Sequence, residues 1–125
     1  MYNFSERSIK NLQGVHPDLV RLMKESIKDS PYDFMITEGL RTVERQKEMV
    51  RTGKSQTMNS YHLVGKAVDI AILGKVKGAA DWDFVKYKKV ADHIKKVAKD
   101  MGLTITWGGD WKKLVDGPHF QLEDR

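Results

Sequence analysis

The chain has 125 residues, 40% hydrophobic and 31% charged, with a formal charge of +5. That length can bury a core without staples, and the balance excludes an intrinsically disordered chain. There is no cysteine, which excludes disulfides, a thiolate nucleophile and any Cys-ligated metal, so a metal here would rest on His, Asp, Glu or backbone oxygen.

The opening residues, MYNFSERSIK, hold no apolar run. They predict neither a secretory signal nor a bilayer-inserting segment, and no membrane insertion is expected. Pro17 suits the first turn of a helix, where its missing N–H is no loss. Leu19, Leu22, Met23 and Ile27 continue that helix at three- to four-residue spacing, and Asp29-Ser30-Pro31 ends it. Asp33 to Thr37 reads as a short strand broken by Gly39. Thr42 caps a second helix that runs to about Arg51, with Gly53 as its stop. A polar loop follows from Lys54 to Asn59, then a strand over Ala67 to Ile72, then a turn between Gly74 and Gly78.

Asp81 or Asp83 caps the longest helix, whose apolar face is Phe84, Tyr87, Ala91, Ile94, Ala98 and Met101. Gly102 ends it. Leu103 to Trp107 reads as a strand, Gly108-Gly109 as a turn, and Pro118 to Leu122 as a last short strand. The expected fold is α+β: a single small domain of about three helices packed on a short, largely antiparallel sheet. The basic residues are scattered, with no long basic arm, so no nucleic-acid partner is expected. The lysines of the long helix fall mostly off its apolar face and read as a solvated surface, or as a bias toward an anionic cell wall.

His62 and Asp69 stand seven residues apart in SYHLVGKAVD, with Gly65 permitting a tight turn between them. A lone Asp in the apolar run AVDIAI must be compensated if buried, or else face solvent or a salt-bridge partner. Downstream, DGPHF carries Asp116 and His119. Its plain reading is an Asp-Gly turn. Its chemical reading joins His119 to His62 and Asp69 as two imidazoles and a carboxylate, a set suited to zinc with one position left for water. Trp82 is expected in the core, whereas Trp107 and Trp111, flanking Gly108-Gly109, are candidates for a cleft wall. His16 reads as a helix-cap or surface residue, and His93 as solvated or locally bonded.

The two segments resemble the signature of the VanY-like zinc peptidases, the superfamily of peptidoglycan D,D-carboxypeptidases and L-alanyl-D-glutamate endopeptidases. Ser60, His62, Gly65, Ala67, Asp69, Asp116 and His119 match, TEGLRTVERQ and WGGDW are also similar, and the likeness runs from about Val15 to Phe120. It is strongest to the short phage endolysin peptidases. The resemblance implies one zinc ion per chain on His62, Asp69 and His119. It implies Asp116 as general base, Arg41 as the group that stabilises the carbonyl or oxyanion, and Ser60 and Trp107 beside the substrate. It further implies that residues 1–125 form one catalytic domain, acting as a monomer on bacterial peptidoglycan. With no signal peptide read at the start, such an enzyme would stay in the host cytoplasm until released to the wall. The bond expected to break is L-alanyl to D-glutamate; a D,D- or L,D-carboxypeptidase and a non-enzymatic wall-binding domain are the alternatives.

Overall fold

The structure, a computed structural model, describes residues 2–55, 57–76 and 79–123. Its helices are α1 (Glu6–Asn11), α2 (Pro17–Lys28), α3 (Val43–Arg51) and α4 (Phe84–Asp100). Its strands are β1 (Phe34–Glu38), β2 (Ala67–Leu73), β3 (Ala80–Asp81), β4 (Ile105–Trp107) and β5 (His119–Leu122). All strand pairs are antiparallel, in the order β1-β2-β5-β4, with β3 on β2. The α+β expectation is met.

The caps follow the local chemistry. The Thr42 side chain accepts from the Arg45 N–H at the head of α3, and Asp83 accepts from Val85 at the head of α4. His16 caps α2 through its ring nitrogen, which accepts from the Asp18 N–H at 3.1 Å. His93 donates from Nε2 to the Ser26 carbonyl at 2.8 Å and ties α4 to α2, away from the cleft.

Three features differ from expectation. Helix α1 was not foreseen: it is a six-residue element that docks through the buried Ser8, whose hydroxyl accepts from the Ile36 N–H at 3.1 Å. Strand β3 lies just beyond the turn read between Gly74 and Gly78, where no strand was expected, and Gly78 lies outside the described residues. Trp82, expected in the core, is 63% exposed, with one ring face stacked on Tyr87. The apolar face of α4 centres on Tyr87, Val90, Ala91, Ile94 and Ala98, while Phe84 at its head remains 46% exposed.

One sheet face carries the core. Val68, Ile70 and Ile72 of β2 pack there with Phe34, Ile36, Phe120 and Leu122 and with the buried sides of α2 and α4. Because side chains alternate along a strand, Asp69 falls on the opposite face. Its cross-strand partner on β5 is His119. On β1 the register runs Phe34↔Ile72 and Ile36↔Ile70, then shifts so that Glu38 pairs with Asp69. This bulge turns Glu38 onto the face of Asp69; unshifted alternation would send it to the core side with Ile36.

Candidate metal centre

The sheet therefore lays Glu38, Asp69 and His119 in one row across β1, β2 and β5. His62 reaches the row from a 3₁₀ turn, Tyr61–Val64, which is capped by Ser60: its hydroxyl accepts from the His62 N–H at 3.2 Å. Gly65 closes this turn at φ +71°, a conformation open to glycine at little cost. A Cβ there would also sit 2.4 Å from the Gly14 carbonyl oxygen. This positive-φ closure is what brings residues 62 and 69 back to one point.

Two imidazole nitrogens face the same carboxylate oxygen. His62 Nε2 and His119 Nδ1 each lie 3.2 Å from Asp69 Oδ1. The far side of each ring fixes its tautomer. His62 Nδ1 donates to the Gly39 carbonyl at 2.8 Å. His119 Nε2 donates to Gln121 Oε1 at 2.8 Å, and Gln121 Nε2 in turn donates to Glu123 Oε2 at 3.3 Å. The Thr106 hydroxyl donates to the same Glu123 oxygen. With the outer N–H groups so engaged, the inner nitrogens of neutral rings present lone pairs to Asp69.

Lone pairs aimed at a carboxylate oxygen repel it unless a proton or a cation lies between. Ligand atoms around a tetrahedral zinc, at about 2.0–2.1 Å from the ion, stand roughly 3.3 Å apart. The 3.2 Å separations match that spacing, and the donor atoms of His62, Asp69 and His119 all lie within 4.8 Å of one another. The residues present thus fit a divalent metal. Proton affinities agree with this geometry. Burial pushes the Asp69 carboxyl up, but hydrogen bonds and charge from His119 and His62 outweigh it and hold the group well below the usual carboxylate range. Burial pushes His119 down, but Asp69, Gln121 and Asp116 together raise it above its ordinary value.

Around this centre is a cleft of about 540 Å³. Arg41 and Asp116 line it with the three ligand candidates. Arg41 is 7% exposed. Its Nε donates to Glu38 at 3.1 Å, one terminal nitrogen pairs with the other Glu38 oxygen, and Nη1 donates to Gln46 Oε1 at 2.8 Å. Nη2 stands 3.8 Å from Asp69 Oδ2. Burial first, and then the charge of Asp69, push the Asp116 carboxyl upward against the pull of His119, His62 and Arg41. Ser60 lines the cleft as well as capping the His62 turn.

Trp107 lies elsewhere than expected. It is 2% exposed, stacked near Phe84, and donates from Nε1 to the Gly117 carbonyl at 2.6 Å. The indole therefore braces the Asp116–His119 segment from behind, while Trp111 lines the cleft, its ring centroid 5.1 Å from that of His119. Sequence reading missed Gln46, Gln121, Glu38 and Glu123. Gln46 is the one buried side chain of α3, and its amide also donates to Ser55 Oγ and the Thr57 carbonyl at 2.9 and 2.6 Å. Glutamines and glutamates in polar stretches read as surface, so no periodicity signal marks them. For Gln121 a signal did exist: two residues beyond His119 on a strand, it shares that residue's face.

A family model described as phage L-alanyl-D-glutamate peptidase matches residues 1–122. The chain is 37% identical over 122 residues to the L-alanyl-D-glutamate peptidase of Listeria phage A118, covering 97% of this chain and 41% of that protein. The chain thus spans about two-fifths of that relative's length. It is 31% identical over 119 residues to the L-alanyl-D-glutamate peptidase of Escherichia phage T5, covering 92% of this chain and 85% of that one. Among solved structures, the Serratia marcescens L-Ala D-Glu endopeptidase ChiX superposes with a TM-score of 0.89 at 45% identity, over 98% of this chain and 90% of that one.

Proposed function

The chain belongs to the phage L-alanyl-D-glutamate peptidase family, and on that premise we propose that it is a zinc peptidase that hydrolyses the L-alanyl–D-glutamyl bond of bacterial peptidoglycan stem peptides. The observation that carries the reading is the convergence of His62 Nε2 and His119 Nδ1 on Asp69 Oδ1, in a cleft that also holds Asp116 and Arg41. Zinc on His62, Asp69 and His119 would lower the pKa of water and polarise a carbonyl.

Asp116 is the general base. It takes a proton from the attacking water and delivers it to the leaving amine. Its upward shift suits both halves of that task, since a carboxylate with raised proton affinity binds the proton more readily at the moment of transfer. Arg41 supplies a fixed positive charge toward the developing oxyanion. Its fork is held by Glu38 and Gln46, so little reorganisation is needed when that charge develops. Ser60 contacts the substrate at the cleft edge, and Trp107 acts on it only through the segment that it braces. Residues 1–125 work as one catalytic domain and as a monomer. The route is that of an endolysin, held in the host cytoplasm and then released to the wall. Release would pass through a separately made lesion in the membrane. No helix among the described residues is long and apolar enough to cross a membrane.

Digestion of purified peptidoglycan with and without a chelator, with mapping of the new amino terminus, tests the reading. The expected outcome is a new D-glutamate terminus that disappears on chelation, with one zinc per chain by metal analysis. His119→Ala should lose zinc and hydrolysis together. Release of D-alanine alone would make the protein a carboxypeptidase instead.

A further inference from the structure

We infer that Lys54 recognises the free carboxylate of the D-glutamyl residue on the leaving side of the scissile bond, an assignment that rests on the peptidase reading above. A glutamyl residue acylated on its amine has two carboxyl groups. Only one can continue the peptide; the other is an anion unless amidated. A site for such a substrate needs a cation that its own chain does not neutralise.

Among the described residues, Arg41 and Lys54 are the lysine or arginine side chains that line the cleft. Arg41 is buried, and its donors are engaged by Glu38 and Gln46. Lys54 is exposed, and its ammonium makes no hydrogen bond or ion pair among the described residues. Glu48, whose carboxyl senses Lys54 through space, is itself paired with Arg51.

The backbone beneath Lys54 is anchored, although its head group has no partner among the described residues. The Lys54 and Ser55 N–H groups both donate to the Met49 carbonyl, at 2.8 and 3.0 Å. The buried Gln46 amide holds Ser55 Oγ and the Thr57 carbonyl from below. The ammonium therefore projects from a fixed point on a polar wall that also carries Ser55, Thr57 and Ser60. The cleft lining also includes the apolar Trp111, Leu114 and Val115, the last two 63% and 55% exposed. Such a lining offers a cation and apolar surface to a substrate that carries both an anion and a methyl.

The test uses the full zinc-loaded chain and two synthetic peptides with an L-alanyl–D-glutamyl bond, one with the spare carboxyl free and one with it as carboxamide. Wild type should favour the free acid in kcat/KM by about tenfold, the worth of one hydrogen bond between charged groups. Lys54→Gln should bring the ratio to about one, largely by slowing the acid, and Lys54→Arg should preserve it. Lys112→Gln, outside the cleft lining, is the control and should leave the ratio unchanged. Binding of the two peptides to the inactive Asp116→Asn variant, by calorimetry, should show the same preference and the same loss. A wild type with no preference, or a Lys54→Gln enzyme that slows on both peptides alike, overturns the assignment. A wild type that cleaves neither peptide overturns the peptidase reading and this assignment with it.

Discussion

At the scale of single residues, the role proposed for Asp116 runs against stability. Its carboxyl is raised, chiefly by burial and then by the Asp69 charge. A carboxyl raised on folding contributes stability that is fully present below its unfolded value, near 3.8, and is lost as pH rises through the folded value. At neutral pH the ionised group therefore works against the metal-free fold. Asp116→Asn should unfold at a higher temperature than wild type when both are metal-free at neutral pH, and the gap should shrink toward pH 3.8. The same variant should keep its zinc and lose hydrolysis by about 10²–10⁴-fold. Thermal melts, metal analysis and turnover check the three parts separately.

His119 carries the opposite charge logic. Its proton affinity is raised above the ordinary 6.5 in the metal-free protein, so protons compete with a metal for the ring more strongly than they would for a free imidazole. Zinc affinity should therefore begin to fall above pH 6.5 on acidification, which competitive titration against a chelator across pH would measure. Removal of the outer partner in Gln121→Leu should lower zinc affinity about 10–100-fold, because the ring then loses the acceptor that fixes its tautomer.

At the scale of elements, the β1 bulge and the Gly108 turn align the row. Gly108 lies beside His119, and a Cβ there would stand 2.4 Å from the Asp116 carbonyl oxygen and 3.1 Å from the His119 Cβ. Its own carbonyl accepts from the N–H groups of Trp111 and Asp116 at 3.2 and 3.0 Å. Gly108→Ala must move the segment that carries both Asp116 and His119. A displacement near 1 Å costs about 10²-fold in rate, so turnover should drop at least that far while circular dichroism shows the fold retained. Helix α3 illustrates a polar mode of docking. Its apolar Val43 and Val50 are exposed, and its buried contact is Gln46, which joins the helix to Arg41 and to the cleft wall at once.

At the scale of the whole molecule, the excess positive charge is concerned with encounter more than with folding. Lys86, Lys88 and Lys95 are paired with Asp81, Asp92 and Asp110, and such solvent-screened surface pairs add little to stability. Each of these pairs is neutral in sum, so the whole net charge of +5 remains as a field, which would favour an anionic wall. Association with purified wall should weaken steeply as ionic strength rises past about 0.1 M, where the screening length is near 10 Å. Sedimentation of bound protein across a salt series checks this, and salt-independent binding would remove the role assigned to the charge.

What the sequence determined by itself was what is local. Helices α2, α3 and α4 were legible because apolar spacing and capping residues act within a few positions. Residue type made His62, Asp69 and His119 candidates, and it was the resemblance of SYHLVGKAVD and DGPHF to a family signature that joined them and gave Asp116 its expected role. The tertiary structure decided what depends on register and on close approach between distant segments. It put Glu38 beside Asp69 through a bulge, set Gln121 behind His119, and sent Trp107 inward while leaving Trp82 at the surface. A one-residue shift in pairing reverses the face of every later side chain in a strand. Nothing in the local sequence of β1 records which register its neighbour imposes.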